Sequence, residues 1–218
     1  MLDNMDSTNM PTLYIRNVIS TFNLKKRLQK MKLTKELLHS IASAIQPPNN
    51  AIYNPDRFNA LITRMREPVR ATTLLFPTGK LVCLGATSEQ QSNEATLAFV
   101  SLLTQAYKSA SKGKTYLKRI GAYAFQIRNV VGSATLPFKL DFNVFCRAYP
   151  RNAIYEPELF PGLHFRLDSG NLVCILFTTG KLIITGAKSQ NEIEKIYKDL
   201  FSFLDYFYNC QLFKNVII

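Results

Sequence analysis

The sequence predicts an α+β fold with pseudo-twofold symmetry and a continuous antiparallel sheet. Three observations carry this: an internal duplication, short apolar runs separated by turn signals, and a long helix closing each half. The duplication appears in three blocks. Ile15 to Leu24 (IRNVISTFNL) matches Ile127 to Leu136 (IRNVVGSATL) at an offset of 112, with 5 identities in 10. Ala51 to Met65 (AIYNPDRFNALITRM) matches Ala153 to Leu167 (AIYEPELFPGLHFRL) at an offset of 102, with 7 in 15. Leu74 to Ser88 (LLFPTGKLVCLGATS) matches Ile175 to Ser189 (ILFTTGKLIITGAKS) at an offset of 101, with 9 in 15. The blocks keep their order, so the chain divides into a short polar tail (1–11), a first repeat (12–115) and a second repeat (116–218). The change of offset places about ten extra residues of the first repeat within an insertion at about 25–50, which holds KKRLQKMK and QPPNN. A basic surface loop is the least disruptive place for them.

Each repeat then reads in the same order. IRNV opens it as a short β-rich run. A helical stretch follows, clearest in the first repeat, where Leu33, Leu37, Leu38, Ile41 and Ile45 keep helical spacing and Thr34 is placed to cap. Strands come next: Phe58 to Met65, Thr72 to Phe76 and Lys80 to Leu84, answered by Leu163 to Leu167, Leu172 to Phe177 and Lys181 to Thr185. PTG, TTG and DSGN supply the turns, and four or so strands are expected per repeat. After each Gly-Ala, a capping box opens the long helix: Ser88 with Gln91, and Ser189 with Glu192. In the second long helix Ile193, Ile196, Leu200, Phe203, Leu204 and Phe207 form one stripe, expected to lie in the core against the sheet. Helices on one side leave the other sheet face bare, and a bare face rich in Val, Ile, Leu and Phe demands a partner.

Composition narrows the partner. The 218 residues carry 27 basic and 15 acidic side chains, a net charge of +12 that favours a polyanion. No apolar run reaches the roughly 18 residues of a membrane span, and the polar amino terminus has no signal-peptide pattern. Cys83, Cys146, Cys174 and Cys210 lie 63, 28 and 36 residues apart without a CxxC pair, so they are expected as buried free thiols rather than disulfides or zinc ligands. The only histidines, His39 and His164, fall in different repeats without a ligand-spaced Cys, Asp or Glu, and are expected to be ordinary side chains. No phosphate loop, dinucleotide fingerprint, nucleophile elbow or recurring acidic pair is present, so no enzyme is indicated and no cofactor is called for.

The duplicated motifs RNVIS with RNVVGS, YNPDRF with YEPELFPGL, and FPTGKLVCLGA with FTTGKLIITGAK resemble the TATA-box-binding protein family over about residues 12 to 207. The resemblance implies a saddle: a curved sheet whose concave face lies in the DNA minor groove, with the helices on its convex face. That family is itself the standard case of minor-groove bending by inserted side chains. Phe58, Phe76, Phe160 and Phe177 match its two intercalating pairs, separated by 18 residues in one repeat and 17 in the other. Asn17 and Asn129 match its amide donors to adenine N3 and thymine O2, the only acceptors that an A·T minor groove offers. Ile19, Val131, Leu74, Ile175, Val82, Ile183 and Thr185 would line the groove, and Arg57, Arg64, Lys80, Arg166, Lys181 and Lys188 would meet phosphates.

The same resemblance implies a general transcription initiation factor in the nucleus that bends promoter DNA and nucleates the preinitiation complex. Its implied partners are double-stranded TATA-box promoter DNA, general transcription factors IIB and IIA, TBP-associated factors and, for the free protein, a second copy in a homodimer. Glu156, Glu158 and Leu159, in a loop matching the family's second stirrup, would meet factor IIB. The basic charge favours a eukaryotic over an archaeal member, although KKR at Lys25 to Arg27 is too short to act as an import signal by itself. Two departures stand out. Leu84 and Thr87 answer Thr185 and Lys188, and the stretch Glu89 to Tyr107 lacks the Lys and Arg of the family's convex-face helix. They keep an alternative open: a related interaction module with weak or no TATA specificity.

Overall fold

Alternation along a strand sends every second side chain to a core and the others to an open sheet face. The computed structural model describes residues 10–24, 33–110, 121–167 and 172–216, with side chains to 210. The segment KKRLQKMK, most of the tail and the DSGN turn therefore lie outside the described residues. Two compact units are formed, one by 16–129 and the other by 1–15 with 130–218.

The unit 16–129 contains β1 (Tyr14–Leu24, apart from its first two residues), α1 (Lys35–Ala44), β2 (Asn50–Asn54), β3 (Phe58–Met65), β4 (Ala71–Leu75), β5 (Lys80–Ala86), α2 (Glu89–Ala110) and the start of β6 (Ala122–Thr135). Its antiparallel ladder runs β2-β3-β4-β5-β1. The second unit contains the rest of β6, α3 (Phe142–Ala148), β7 (Ala153–Ile154), β8 (Gly162–Arg166), β9 (Val173–Phe177), β10 (Lys181–Ala187) and α4 (Gln190–Val216). Its ladder runs β6-β10-β9-β8-β7, also antiparallel. Each ladder thus has five strands where four or so were expected. The additions are β2 and β7, short segments wedged between turn-forming residues and hard to distinguish from loop. The IRNV segments, conversely, are not short: β1 has 11 residues and β6 has 14.

Helix starts follow the caps. Thr34 Oγ1 accepts the Leu37 N–H at 3.3 Å, and Asp141 caps α3 by accepting the N–H groups of Asn143 and Val144. Ser88 and Ser189 accept from Gln91 and Glu192 N–H at 3.0 and 3.1 Å. The return bonds differ from a simple capping box. Gln91 Oε1 accepts from the backbone of Thr87, and Glu192 Oε2 from that of Lys188, so each side chain closes on the residue before its cap. Helix α2 runs to Ala110 and thereby takes in Lys108, beyond the stretch free of basic residues.

The two cores differ in chemistry. In unit 16–129, Phe22, Leu81, Leu75, Leu61 and Tyr53 form one buried cross-strand row under Phe99 and Leu103 of α2. Fully burying each aliphatic member is worth about 1.5–3 kcal/mol. The adjacent buried row is Ser20, Cys83, Thr73 and Thr63, with Ser20 Oγ hydrogen-bonded to Ser92 Oγ at 2.7 Å. The matching row of the second unit is Gly132, Ile184, Cys174 and Phe165, and it is apolar. There Phe165 stacks on Phe203 of α4 with centroids 5.8 Å apart, and Phe145 packs edge-on against Phe165 and Phe207. Ile193, Leu200 and Leu204 of the expected stripe are buried and Ile196, Phe203 and Phe207 half-buried; Tyr197 joins them, donating from its hydroxyl to the Pro11 carbonyl at 2.6 Å.

Candidate nucleic-acid interface

The turns fix the four phenylalanines. Gly79 takes φ +81° and donates its N–H to the Phe76 carbonyl at 2.8 Å, while Phe76 N–H donates to Lys80 O at 2.9 Å. Gly180, at φ +87°, does the same for Phe177 at 2.9 Å. A residue with a β-carbon resists this left-handed conformation, so PTG and TTG turn the chain immediately after a ring. In unit 16–129 the Phe58 and Phe76 rings meet edge to face, 5.9 Å apart at 71°. In the second unit Phe160 and Phe177 meet at 6.0 Å and 60°. Phe58 is 45% exposed and Phe160 39%, an unfavourable placement for large apolar rings without a partner.

Register then shows what lies beside each pair. Across unit 16–129 the open face carries Ile52, Ile62, Leu74, Val82 and Thr21 in one row. A second row carries Asn50, Arg64, Thr72 and Leu84. In the second unit the corresponding rows are Ile154, His164, Ile175, Ile183 and Ser133, and Arg166, Val173 and Thr185. The expected groove-lining residues Leu74, Val82, Ile175, Ile183 and Thr185 are all half-buried in these rows, and Ile19 and Val131 are half-buried on β1 and β6. Both ladders slip opposite a glycine of positive φ, Gly85 or Gly186. At the first slip Gly85 N–H donates to Asn17 Oδ1 at 2.8 Å. That bond engages Oδ1 and leaves the Nδ2 protons as the donors of the amide. Asn129 is half-buried on β6.

Arg57, Arg64, Lys80, Arg166, Lys181 and Lys188 are all exposed. Arg64 does not stand alone: with Arg66, Arg70, Asn50, Thr72 and Gly85 it lines a pocket at one end of β3 and β4. Glu156 and Glu158 are exposed, and Leu159, in a turn closed by Leu159 N–H to Glu156 O at 3.0 Å, is 82% exposed.

Several residues on or beside this face escaped the sequence reading. Ile62 is on it because it pairs with Leu74, already assigned, and Ile52 and Ile154 are on it because they pair with Ile62 and His164. Arg128 Nε donates to Thr21 Oγ1 at 2.7 Å, a contact between strands 107 residues apart. Arg66 and Arg70 had a signal, their clustering beside Arg64; His164 had none before register was known. His39 instead sits on α1, its ring edge-on to Tyr53 at 4.9 Å. Among the described residues no group of His, Cys, Asp and Glu could hold a metal ion, and no helix is long and apolar enough to cross a membrane.

The chain is similar to known proteins. The family model for transcription factor TFIID (or TATA-binding protein, TBP) matches residues 12–106 and 124–207. The TATA-box-binding protein of Caenorhabditis elegans is 34% identical over 200 residues, covering 90% of this chain and 51% of that protein. TATA box-binding protein-like 2 of Homo sapiens is 36% identical over 194 residues, covering 87% and 49%. The chain spans about half the length of these curated relatives. Among solved structures, Methanococcus jannaschii TBP aligns with a TM-score of 0.61 and 26% identity over 90% of this chain and 99% of its own.

Proposed function

The chain belongs to the TATA-binding protein family, a family of non-enzymatic transcription factors, and on that premise we propose that it binds the TATA box in the minor groove, bends it and nucleates preinitiation complexes. The observation that carries this reading is the duplication of one surface. Each unit ends an open apolar face with an edge-to-face phenylalanine pair. The A·T minor groove lacks the guanine amino group, so an Ile, Leu and Val face fits it and excludes G·C pairs sterically, while Asn17 and Asn129 supply donors. Phe58 with Phe76, and Phe160 with Phe177, insert at base steps. Unstacking costs about a few kcal/mol per step, offset by the contact area that the opened groove offers. Arg57, Arg64, Lys80, Arg166, Lys181 and Lys188 take the phosphates. Glu156, Glu158 and Leu159 dock factor IIB; factor IIA, TBP-associated factors and a homodimer of the free protein complete the proposed partners, and the nucleus the proposed location.

A second reading has its own support: Leu84 and Thr87 alter one half of the face, and α2 lacks basic residues before Lys108. On it, the protein is an interaction module with weak TATA specificity. Fluorescence transfer across end-labelled duplexes separates the two. A TATAAA core should be bent and a GC-substituted core left straight, with bending abolished by Phe58→Ala and Phe177→Ala together. Equal, unbent, salt-labile binding to both cores would favour the interaction module.

A further inference from the structure

His164 is the one break in chemical type between the matching rows Ile52, Ile62, Leu74, Val82 and Thr21 and Ile154, His164, Ile175, Ile183 and Ser133. It pairs with Ile154 on β7 and Ile175 on β9, so its side chain shares the open face with both. Its counterpart in the first repeat, at the block offset of 102, is Ile62, set in the same way between Ile52 and Leu74. The imidazole is half-buried and lies beside the wedge pair, its ring centroid 5.0 Å from that of Phe160. No hydrogen bond to a described residue occupies its ring nitrogens.

We propose that His164 hydrogen-bonds the minor-groove edge of the base pair next to the Phe160–Phe177 wedge, and so admits a G·C pair at that end of the site alone. The inference rests on the minor-groove reading above. A neutral imidazole has one donor and one acceptor nitrogen. The donor suits adenine N3 or thymine O2, and the acceptor suits the guanine N2 amino group, the one feature that distinguishes G·C from A·T in this groove. Ile62 offers neither, so at the other wedge a guanine amino group would be buried without a partner, a loss that weakens binding about tenfold or more. The faces of the two units are thereby unequal, and a site with G·C at one end sets the direction in which the protein sits.

The test uses a palindromic TATATATA core, its terminal pairs replaced by G·C at one end or both, with affinity and bending read together for the full chain. Wild-type protein should tolerate one replacement, because it turns to place His164 there, and lose about tenfold on the doubly replaced core. His164→Ile should suffer that loss already on the single replacement, and Ile62→His should tolerate both. Inosine·C, which lacks the amino group, should cost little in every case. An equal penalty for the single replacement in wild type and His164→Ile, with bending of the unaltered core intact, would overturn the proposal. A penalty from inosine·C as large as that from G·C would do the same. Failure to bend the unaltered core would instead remove the minor-groove reading beneath it, and the proposal with it. Both variants are apolar–polar exchanges on an open face; a thermal unfolding curve close to wild type establishes that each is folded.

Discussion

Gly162 lies so close beneath the Phe160 ring that a β-carbon on it would come within 2.6 Å of Phe160 Cε1, and within 2.8 Å of Ile175 Cγ2. Contacts that short are not sustained, so the ring holds its place beside Phe177 only because residue 162 has no side chain. The matching position of the first repeat is Ala60, fully buried, so the two wedges are seated by different local packing.

Gly162→Ala should therefore displace Phe160 while leaving the rest of its unit folded. The expected outcome is a several-fold loss of affinity for a TATA duplex and a smaller bend, with a thermal midpoint lowered by about 2–12 degrees, since an overpacking change costs about 1–3 kcal/mol. Unchanged bending would mean that the ring's placement does not depend on Gly162.

Thr63 and Thr73 face each other across β3 and β4, both buried, and neither Oγ1 meets a hydrogen-bond partner among the described residues. Replacing a buried, unpaired hydroxyl by a methyl of the same shape removes a desolvation cost. Thr73→Val, and separately Thr63→Val, should raise stability by about 0.5–1 kcal/mol in denaturant unfolding. A loss of stability would show that the hydroxyls are satisfied in solution.

Arg66 and Arg70 extend the cationic surface around Arg64. If they meet DNA phosphates, the double variant Arg66→Ala, Arg70→Ala should lower the slope of log affinity against log salt by about 1 to 2, weakening TATA and GC-substituted duplexes alike. A slope equal to wild type would place these arginines off the DNA.

Burial pushes the Cys174 thiol up to about 12 and raises Cys83 as well, the latter against an opposing effect of its hydrogen bonds with Ser92 and Thr96. Burial likewise lifts the Tyr197 hydroxyl to about 12. Each of these acids is neutral in both states below its unfolded value, near 9 for the thiols and 10 for the phenol. Above those values only the unfolded chain ionises, so stability should fall as pH rises from about 9 toward 12. The thermal midpoint measured across that window checks the sign. At pH 8, mass spectrometry after thiol alkylation should find half-exposed Cys146 and Cys210 modified well before Cys83 and Cys174.

The repeat carried most of the fold. Three blocks in one order were enough to place all the strands but β2 and β7, the two long capped helices and the four phenylalanines, because each feature was written twice with its turn chemistry: PTG and TTG after the wedges, Ser88 and Ser189 at the helix starts. The sequence alone also determined the basic charge and the absence of catalytic motifs. Only the tertiary structure decided which side of each strand a residue occupies. Side chains alternate with a period of two, so the face follows from cross-strand register and from the slips opposite Gly85 and Gly186. His164 shows the consequence: in sequence it is a lone histidine without ligand spacing, and pairing with Ile154 and Ile175 puts it on the open face beside Phe160. The same holds for the buried polar row of Ser20, Cys83, Thr73 and Thr63, whose residues lie on four separate strands and become neighbours only when the ladder forms.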